Sequence, residues 1–314
     1  MDRPEDSVVE DMKQVGRGLC MGAADIVPGV SGGTVALILG IYERLVTAIS
    51  HVDLEFLGTL RAGRFADVGR HLDLRFLLTL GLGIGAGVVG LAGPMHYLLE
   101  HEMATTFGAF FGLILASTLI VARLVENRTP TVLLAAVGGA VFAYWLTGQV
   151  PVVAEPSALY IFFCGMIAIC AMILPGISGS FILLILGMYF HVTGVLKGFA
   201  TGDVTAEGLM TVAAFGAGAV IGIICFSKVL RVLLERAQSL TMAVLCGFMF
   251  GSLRRIWPFK VEDSATLAKE FKEKVFYNVV PWESPESTNV LVVLVAVVLG
   301  FVIVQLLDRV SAKA

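Results

Sequence analysis

The sequence predicts an all-α polytopic membrane protein made of two inverted repeats, each a broken re-entrant helical hairpin followed by three transmembrane helices. Composition gives the first indication. Of 314 residues, 57% are hydrophobic and only 15% are charged, with a mean hydropathy of +0.88, whereas a soluble domain carries about 25% charged residues. The second indication is a series of apolar stretches, six of which are long enough for one crossing and two longer ones interrupted by Pro-Gly. The third is that the two interrupted stretches match each other. So few charges exclude a soluble enzyme, a disordered tail and a nucleic-acid binder, whose basic stripe would be obvious. The net charge of −3 adds little.

The first residues, MDRPEDSVVED, are acidic and polar. They do not resemble a secretory leader, so the chain is expected to be held in the membrane by its own spans. The first interrupted stretch covers about 15–49 and reads GLCMGAADIVPGVSGGTVALILGIYERL over its central part. Pro-Gly inside an apolar helix frees backbone groups that lipid cannot satisfy. Such a break persists only inside protein or beside a water-filled cavity, so we read two half-helices that enter and leave on one side. Spans are expected at about 74–98, 104–122 and 131–148. The second interrupted stretch, about 158–199, contains GMIAICAMILPGISGSFILLILGMYFHV. Spans at about 208–227, 239–253 and 289–307 follow it. With both termini cytoplasmic, fifteen of the 22 Lys and Arg residues fall on the cytoplasmic side, as the positive-inside rule asks. If each broken stretch crossed once, Arg61, Arg64, Arg70 and Arg75 would lie outside. Charge does not separate re-entrant from fully spanning hairpins. Loop 254–288 lies outside and contains, near 264–275, apolar positions Leu267, Ala268, Phe271 and Val275. Their spacing suggests a short helix, either amphipathic on the membrane surface or simply solvated.

A shift of 147 residues places Pro28–Tyr42 on Pro175–Tyr189 with nine identities in fifteen positions. A shift of 135 then places Gly81, Gly83, Gly87, Gly112 and Ser117 on Gly216, Gly218, Gly222, Gly247 and Ser252. The halves are therefore 1–151 and 152–314. Three spans per half is odd, so the second half is inverted, the plan of many secondary transporters. Glycine faces such as Gly81, Gly83, Gly85 and Gly87 allow close helix packing, within the chain or in a homo-oligomer. The five cysteines lie in apolar runs and behave as small hydrophobes.

The breaks carry the chemistry. Ser31 or Thr34 can cap the half-helix that opens at about residue 33, and its first N–H groups lack internal partners. Gly32 and Gly33 leave them open to an anion, which the helix dipole favours. Ser178, Gly179 and Ser180 offer the same arrangement from the other half. The alternative is that these small residues only allow tight crossing. Asp25 is an ionisable group at membrane depth, and Met172 replaces it in the second half. It suits proton or sodium coupling, or a structural carboxylate that caps nearby groups. Glu43 and Arg44 make a local ion pair, or Arg44 helps bind an anionic head. Arg254 and Arg255, before Trp257-Pro258, suit phosphate or anchor the interface. No metal-ligand spacing, ATP-binding loop or hydrolase signature is present.

The run Gly22–Thr34 (GAADIVPGVSGGT), with Gly40–Arg44 (GIYER), closely resembles the opening motif of the PopT-type polyprenyl-phosphate translocases, a bacterial and archaeal family formerly known as a membrane domain of unknown function. Leu174-Pro-Gly-Ile-Ser-Gly-Ser180, Gly187-Met-Tyr189 and Gly251-Ser-Leu-Arg-Arg-Ile-Trp-Pro258 extend the resemblance over nearly the whole chain. It implies a cytoplasmic-membrane transporter, not an enzyme, that returns undecaprenyl phosphate from the outer to the cytoplasmic leaflet for cell-envelope synthesis. No cofactor and no nucleic-acid partner are implied. The phosphate region then falls on Ser31, Gly32, Gly33, Thr34, Ser178, Gly179 and Ser180, with Asp25, Glu43, Arg44 and Arg254 as polar helpers. The second hairpin departs from the first, since Tyr189-Phe190-His191 has no counterpart of Glu43-Arg44. A transporter of a small soluble anion and an intramembrane lipid-phosphate enzyme are the alternatives.

Overall fold

A computed structural model describes residues 7–27, 30–266, 274–285 and 288–311. It is all-helical apart from one small hairpin. Helix α1 (Val8–Ile26) starts where Ser7 accepts the Glu10 N–H, with Glu10 and Asp11 in the first turn complementing the helix dipole. After the break come α2 (Gly32–Ile38) and α3 (Tyr42–Ser50), then two short helices, α4 (Leu54–Arg61) and α5 (Phe65–His71). Next are α6 (Leu74–His101), α7 (Met103–Leu124) and α8 (Pro130–Leu146), the last opened by a Thr129 cap and Pro130. The second half repeats the order with α9 (Ala158–Ile173), α10 (Gly179–Ile185), α11 (Tyr189–Ala200), α12 (Ala206–Arg236), α13 (Gln238–Ser252) and α14 (Val290–Ser311).

The half-helix expected over 33–49 is in fact two helices. Gly40 takes a φ of +67° and Gly187 a φ of +71°, which suits glycine and ends a helix. At both places the next N–H reaches back over the glycine, Ile41 to Ala36 and Met188 to Leu183. The chain bends there by 117° between α2 and α3 and by 114° between α10 and α11. Each return limb has only 7 residues and rises about 10 Å, well short of a crossing.

The expected spans all occur as helices, with unequal lengths. Leu74–His101, Met103–Leu124 and Ala206–Arg236 are long and apolar enough to cross a bilayer, whereas Pro130–Leu146, Gln238–Ser252 and Val290–Leu306 are shorter apolar helices. The exposed faces of α8 and α14 are apolar, as at Leu133, Leu134, Val137, Leu291, Val298 and Leu299. Such faces need lipid against them. The protein is a multi-pass membrane protein.

Packing follows glycine. Helix α1 packs on α6 and α9 on α12, whereas α7 packs on α14 and α8 on α13. The last two pairs join opposite halves of the chain. Residues matched by the 135-residue shift have matching surroundings. A Cβ at Gly83 would strike the Val15 carbonyl of α1, and one at Gly218 the Phe162 carbonyl of α9. One at Gly112 would strike Val297 of α14, and one at Gly247 Ala136 of α8. Gly81 and Gly216 both face open space. Thr106 donates to the Leu98 carbonyl and Thr241 to that of Leu233. The main core surrounds the first break, with Val27, Val30, Tyr42, Phe76, Met249 and Ile256 buried in it.

In the loop 254–288, β1 (Lys260–Glu262) pairs antiparallel with β2 (Phe276–Asn278). The short helix expected near 264–275 is represented by a 3-10 turn at Ser264–Thr266 and by Val275, whose carbonyl accepts from Asp263 in the hairpin. Its positions 267–273 lie outside the described residues.

Candidate functional site at the paired breaks

The two breaks meet. Ser31, fully buried, accepts from the Gly33 N–H at 3.1 Å. Its hydroxyl faces the Met172 and Leu174 carbonyls of the other break at 3.1 and 3.4 Å. Thr34, also fully buried, returns the contact by accepting the Gly176 N–H at 2.8 Å. A Cβ at Gly33 would collide with the Ile173 carbonyl, so this seam requires glycine. Pro28 and Gly29, expected to end the first half-helix, lie outside the described residues. Pro175 and Gly176 do end the second, with Gly176 at a φ of +83°.

The N-termini of α2 and α10 differ. In α2 the Gly32 N–H donates to Asp25 Oδ1 at 2.7 Å and the Gly33 N–H to Ser31. A Cβ at Gly32 would lie 2.7 Å from Asp25 Oδ2. The protein's own carboxylate therefore fills the place that the sequence reading gives to a ligand anion. In α10 the Ser178 side chain makes no capping bond to the backbone. It shares a hydrogen bond of 2.9 Å with Ser180, and Ser180 is exposed.

A cavity of about 280 Å³ lies beside this seam, on the face that carries the β1–β2 loop. Its walls are apolar, formed in part by Ile26, Val88, Ala92 and Leu184. Its polar lining comes from Asp25, Ser180, Tyr189, Arg255 and Lys274. The Arg255 guanidinium lies 4.4 Å above the Phe181 ring, an orientation that suits its flat cation. Among the described residues, no carboxylate is in ion-pair contact with Arg255. Lys274 pairs with Glu262 at 3.0 Å. Lys260 braces the loop by donating to the Arg255 carbonyl and to Asn278 at 3.0 and 2.9 Å. Burial, reinforced by the Arg255 and Arg254 charges, pulls its ammonium group down to about 7.

Asp25, Ser31, Gly32, Gly33, Thr34, Ser178, Gly179 and Ser180 are thus brought together. Three other expected helpers are elsewhere. Arg254 stacks on Tyr144 at 4.3 Å and donates to its carbonyl at 3.1 Å. Glu43 is exposed and accepts from Gln238 at 3.2 Å, not from Arg44. Arg44 donates to Asp73 at 2.7 Å and covers the Phe76 ring, beside a second cavity on the α4–α5 face. The sequence pattern marks both arginines at 254–255 but not which of them faces inward. That depends on the turn after Ser252, where their two side chains diverge.

An anion with one apolar tail matches the cavity chemically. A guanidinium and hydroxyls are available for the head, and the apolar walls suit the first part of the tail. A family model described as undecaprenyl phosphate translocase-like matches residues 21–274. A polyprenyl-phosphate transporter from Vibrio cholerae is 43% identical over 244 residues, covering 78% of this chain and 77% of that protein. A polyprenyl-phosphate transporter from Staphylococcus aureus is 28% identical over 309 residues, covering 95% and 96%. No solved structure matches the chain.

Proposed function

Since the chain belongs to the undecaprenyl phosphate translocase-like family, we propose that it carries undecaprenyl phosphate from the outer to the cytoplasmic leaflet of a bacterial or archaeal cytoplasmic membrane. The single observation that carries this reading is the cavity beside the paired breaks, which combines Arg255 and Ser180 with apolar walls. Both termini face the cytoplasm and the loop 254–288 faces outward, so the cavity is open to the outer side. The halves 1–151 and 152–314 are inverted copies, and one rocks against the other around the seam.

The phosphate is held by Ser178, Gly179, Ser180 and Arg255. The isoprenoid tail stays in lipid beside Ile26 and Val88, and the tight seam of Ser31, Gly33 and Thr34 blocks the inward path. Asp25 holds the N-terminus of α2 until the halves rearrange, and it is the group that couples a proton or sodium ion to that step. After the rearrangement the phosphate faces the inner side. No covalent bond forms or breaks.

Reconstitution in liposomes tests the reading. Labelled undecaprenyl phosphate should move between leaflets with its phosphate intact, and Arg255→Gln should slow the movement. Release of free phosphate would indicate a lipid phosphatase. Uptake of a soluble anion without lipid movement would overturn the proposal. Separate proton and sodium gradients identify the coupling ion.

A further inference from the structure

The second cavity, about 600 Å³, is walled by α1, α3, α5 and α6 on the face opposite the first. Three arginines line it, Arg44, Arg70 and Arg75, together with three carboxylates, Glu10, Asp11 and Asp73. The lining charges balance, and Glu10 also meets Lys13 and Arg17, each at 3.4 Å. Arg75 is joined to Asp11 at 2.8 and 2.7 Å and Arg44 to Asp73 at 2.7 Å, while Arg70 meets Asp67 at 3.2 Å on the surface. A cavity that pairs its own charges in this way is poorly suited to a bare anion, because its carboxylates oppose one.

Gln14 also lines the cavity and is only 2% exposed. Its amide N–H donates to Glu10 at 2.6 Å, but among the described residues its Oε1 has no partner. A buried acceptor without a donor forfeits the hydrogen bonds it made in water, so such a group marks a place for a donor that arrives from outside. Next to it, Leu74 and Leu78 at the start of α6 line the same cavity and are exposed. The cavity therefore lies where an apolar span begins, at headgroup level.

We propose that this cavity binds the headgroup of an aminophospholipid of the phosphatidylethanolamine class. The phosphodiester meets the arginine side, chiefly Arg70 at the rim. The primary ammonium group donates to Gln14 Oε1 and to the Glu10 carboxylate, and the acyl chains leave past Leu74 and Leu78. A choline head has the same charges but no N–H, so it cannot satisfy Gln14. A glycerol head carries a net negative charge into a cavity already supplied with carboxylates. This site is separate from the one proposed for the transported phosphate and does not depend on it.

Native mass spectrometry of the detergent-purified full chain tests the proposal, with phosphatidylethanolamine, phosphatidylcholine and phosphatidylglycerol of equal chain length. Phosphatidylethanolamine should bind about tenfold more tightly than either of the others, the worth of one charge-assisted hydrogen bond. Gln14→Leu should reduce it to the level of phosphatidylcholine, and Gln14→Glu, which keeps an acceptor, should retain the preference. If Gln14→Leu does not fold, Gln14→Met and Arg70→Gln carry the test, each expected to weaken phosphatidylethanolamine binding at least about threefold. Equal binding of the choline lipid overturns the proposal. So does a preference for phosphatidylglycerol, or a folded Gln14→Leu or Gln14→Met variant that keeps full selectivity.

Discussion

The two breaks come from one repeated motif and now do different things. Around the first, the contacts close the structure: Asp25 caps α2 through Gly32, and Ser31 and Thr34 bond across to the other half. Around the second, Met172 stands where Asp25 would be, and among the described residues the Ser178 hydroxyl engages only Ser180. Ser180 of that break lines the cavity together with Arg255, and with Asp25 of the first break. The repeat thus supplies two similar breaks, and one carboxylate distinguishes the capped one from the uncapped one.

The difference can be broken most severely at the seam. Gly33→Val drives a side chain into the Ile173 carbonyl and should reduce lipid movement in liposomes about a hundredfold, since overpacking costs about 1–3 kcal/mol before any effect on the moving parts. Gly81→Val, directed into open space, should stay within about twofold of the parent. A seam that tolerates valine is not part of the barrier. Next in size, Arg255→Gln should lower movement at least about tenfold by removing a charge-assisted contact. Arg254→Gln, on the Tyr144 side, should change little. The reverse order would place the substrate on the wrong arginine.

Asp25 separates cap from charge. Asp25→Ala should lower stability by about 1 kcal/mol, read as a shift in thermal unfolding, whereas Asp25→Asn keeps an acceptor and should unfold near the parent temperature. If both variants unfold alike but only Asp25→Asn retains lipid movement, the carboxylate is not the coupling group. Thr34→Val leaves the buried Gly176 N–H without its acceptor and should cost about 1–2 kcal/mol.

The smallest expected effect belongs to the loop. The folded state binds the Lys260 proton only below about 7, while the unfolded chain holds it to about 10.4. The unfolded state therefore binds more protons between these values, and stability increases with pH across that window. Limited proteolysis of 254–288 should be faster at pH 6 than at pH 8. Lys260→Met should remove the dependence.

Much of this architecture was legible because lipid imposes simple rules. Runs of apolar residues located the helices, and the repeat of Pro28–Tyr42 at Pro175–Tyr189 located both breaks. The second bend is not legible, although Gly40 and Gly187 are among the matched residues, because a glycine in an apolar run serves equally for packing. The convergence of Ser31, Thr34 and Gly176 was only partly legible. The motifs signal an exposed helix N-terminus, but whether a ligand or Asp25 occupies it depends on how α2 folds back on α1. Arg44 illustrates the same limit. Its charge was noticed, yet its partner Asp73 lies 29 residues away and is brought near by α4 and α5.

The exchange of helices between halves also bears on how the chain is made. In lipid, α7 and α8 carry their glycine faces toward α14 and α13, which leave the ribosome after them. Until then Gly112 and Gly139 have no backbone to receive them, since their partners are Val297 and Val244. The first half should therefore remain loosely assembled in the bilayer during synthesis. Its final packing would wait for α13 and α14, and a truncation before α14 would leave α7 as a groove without its ridge.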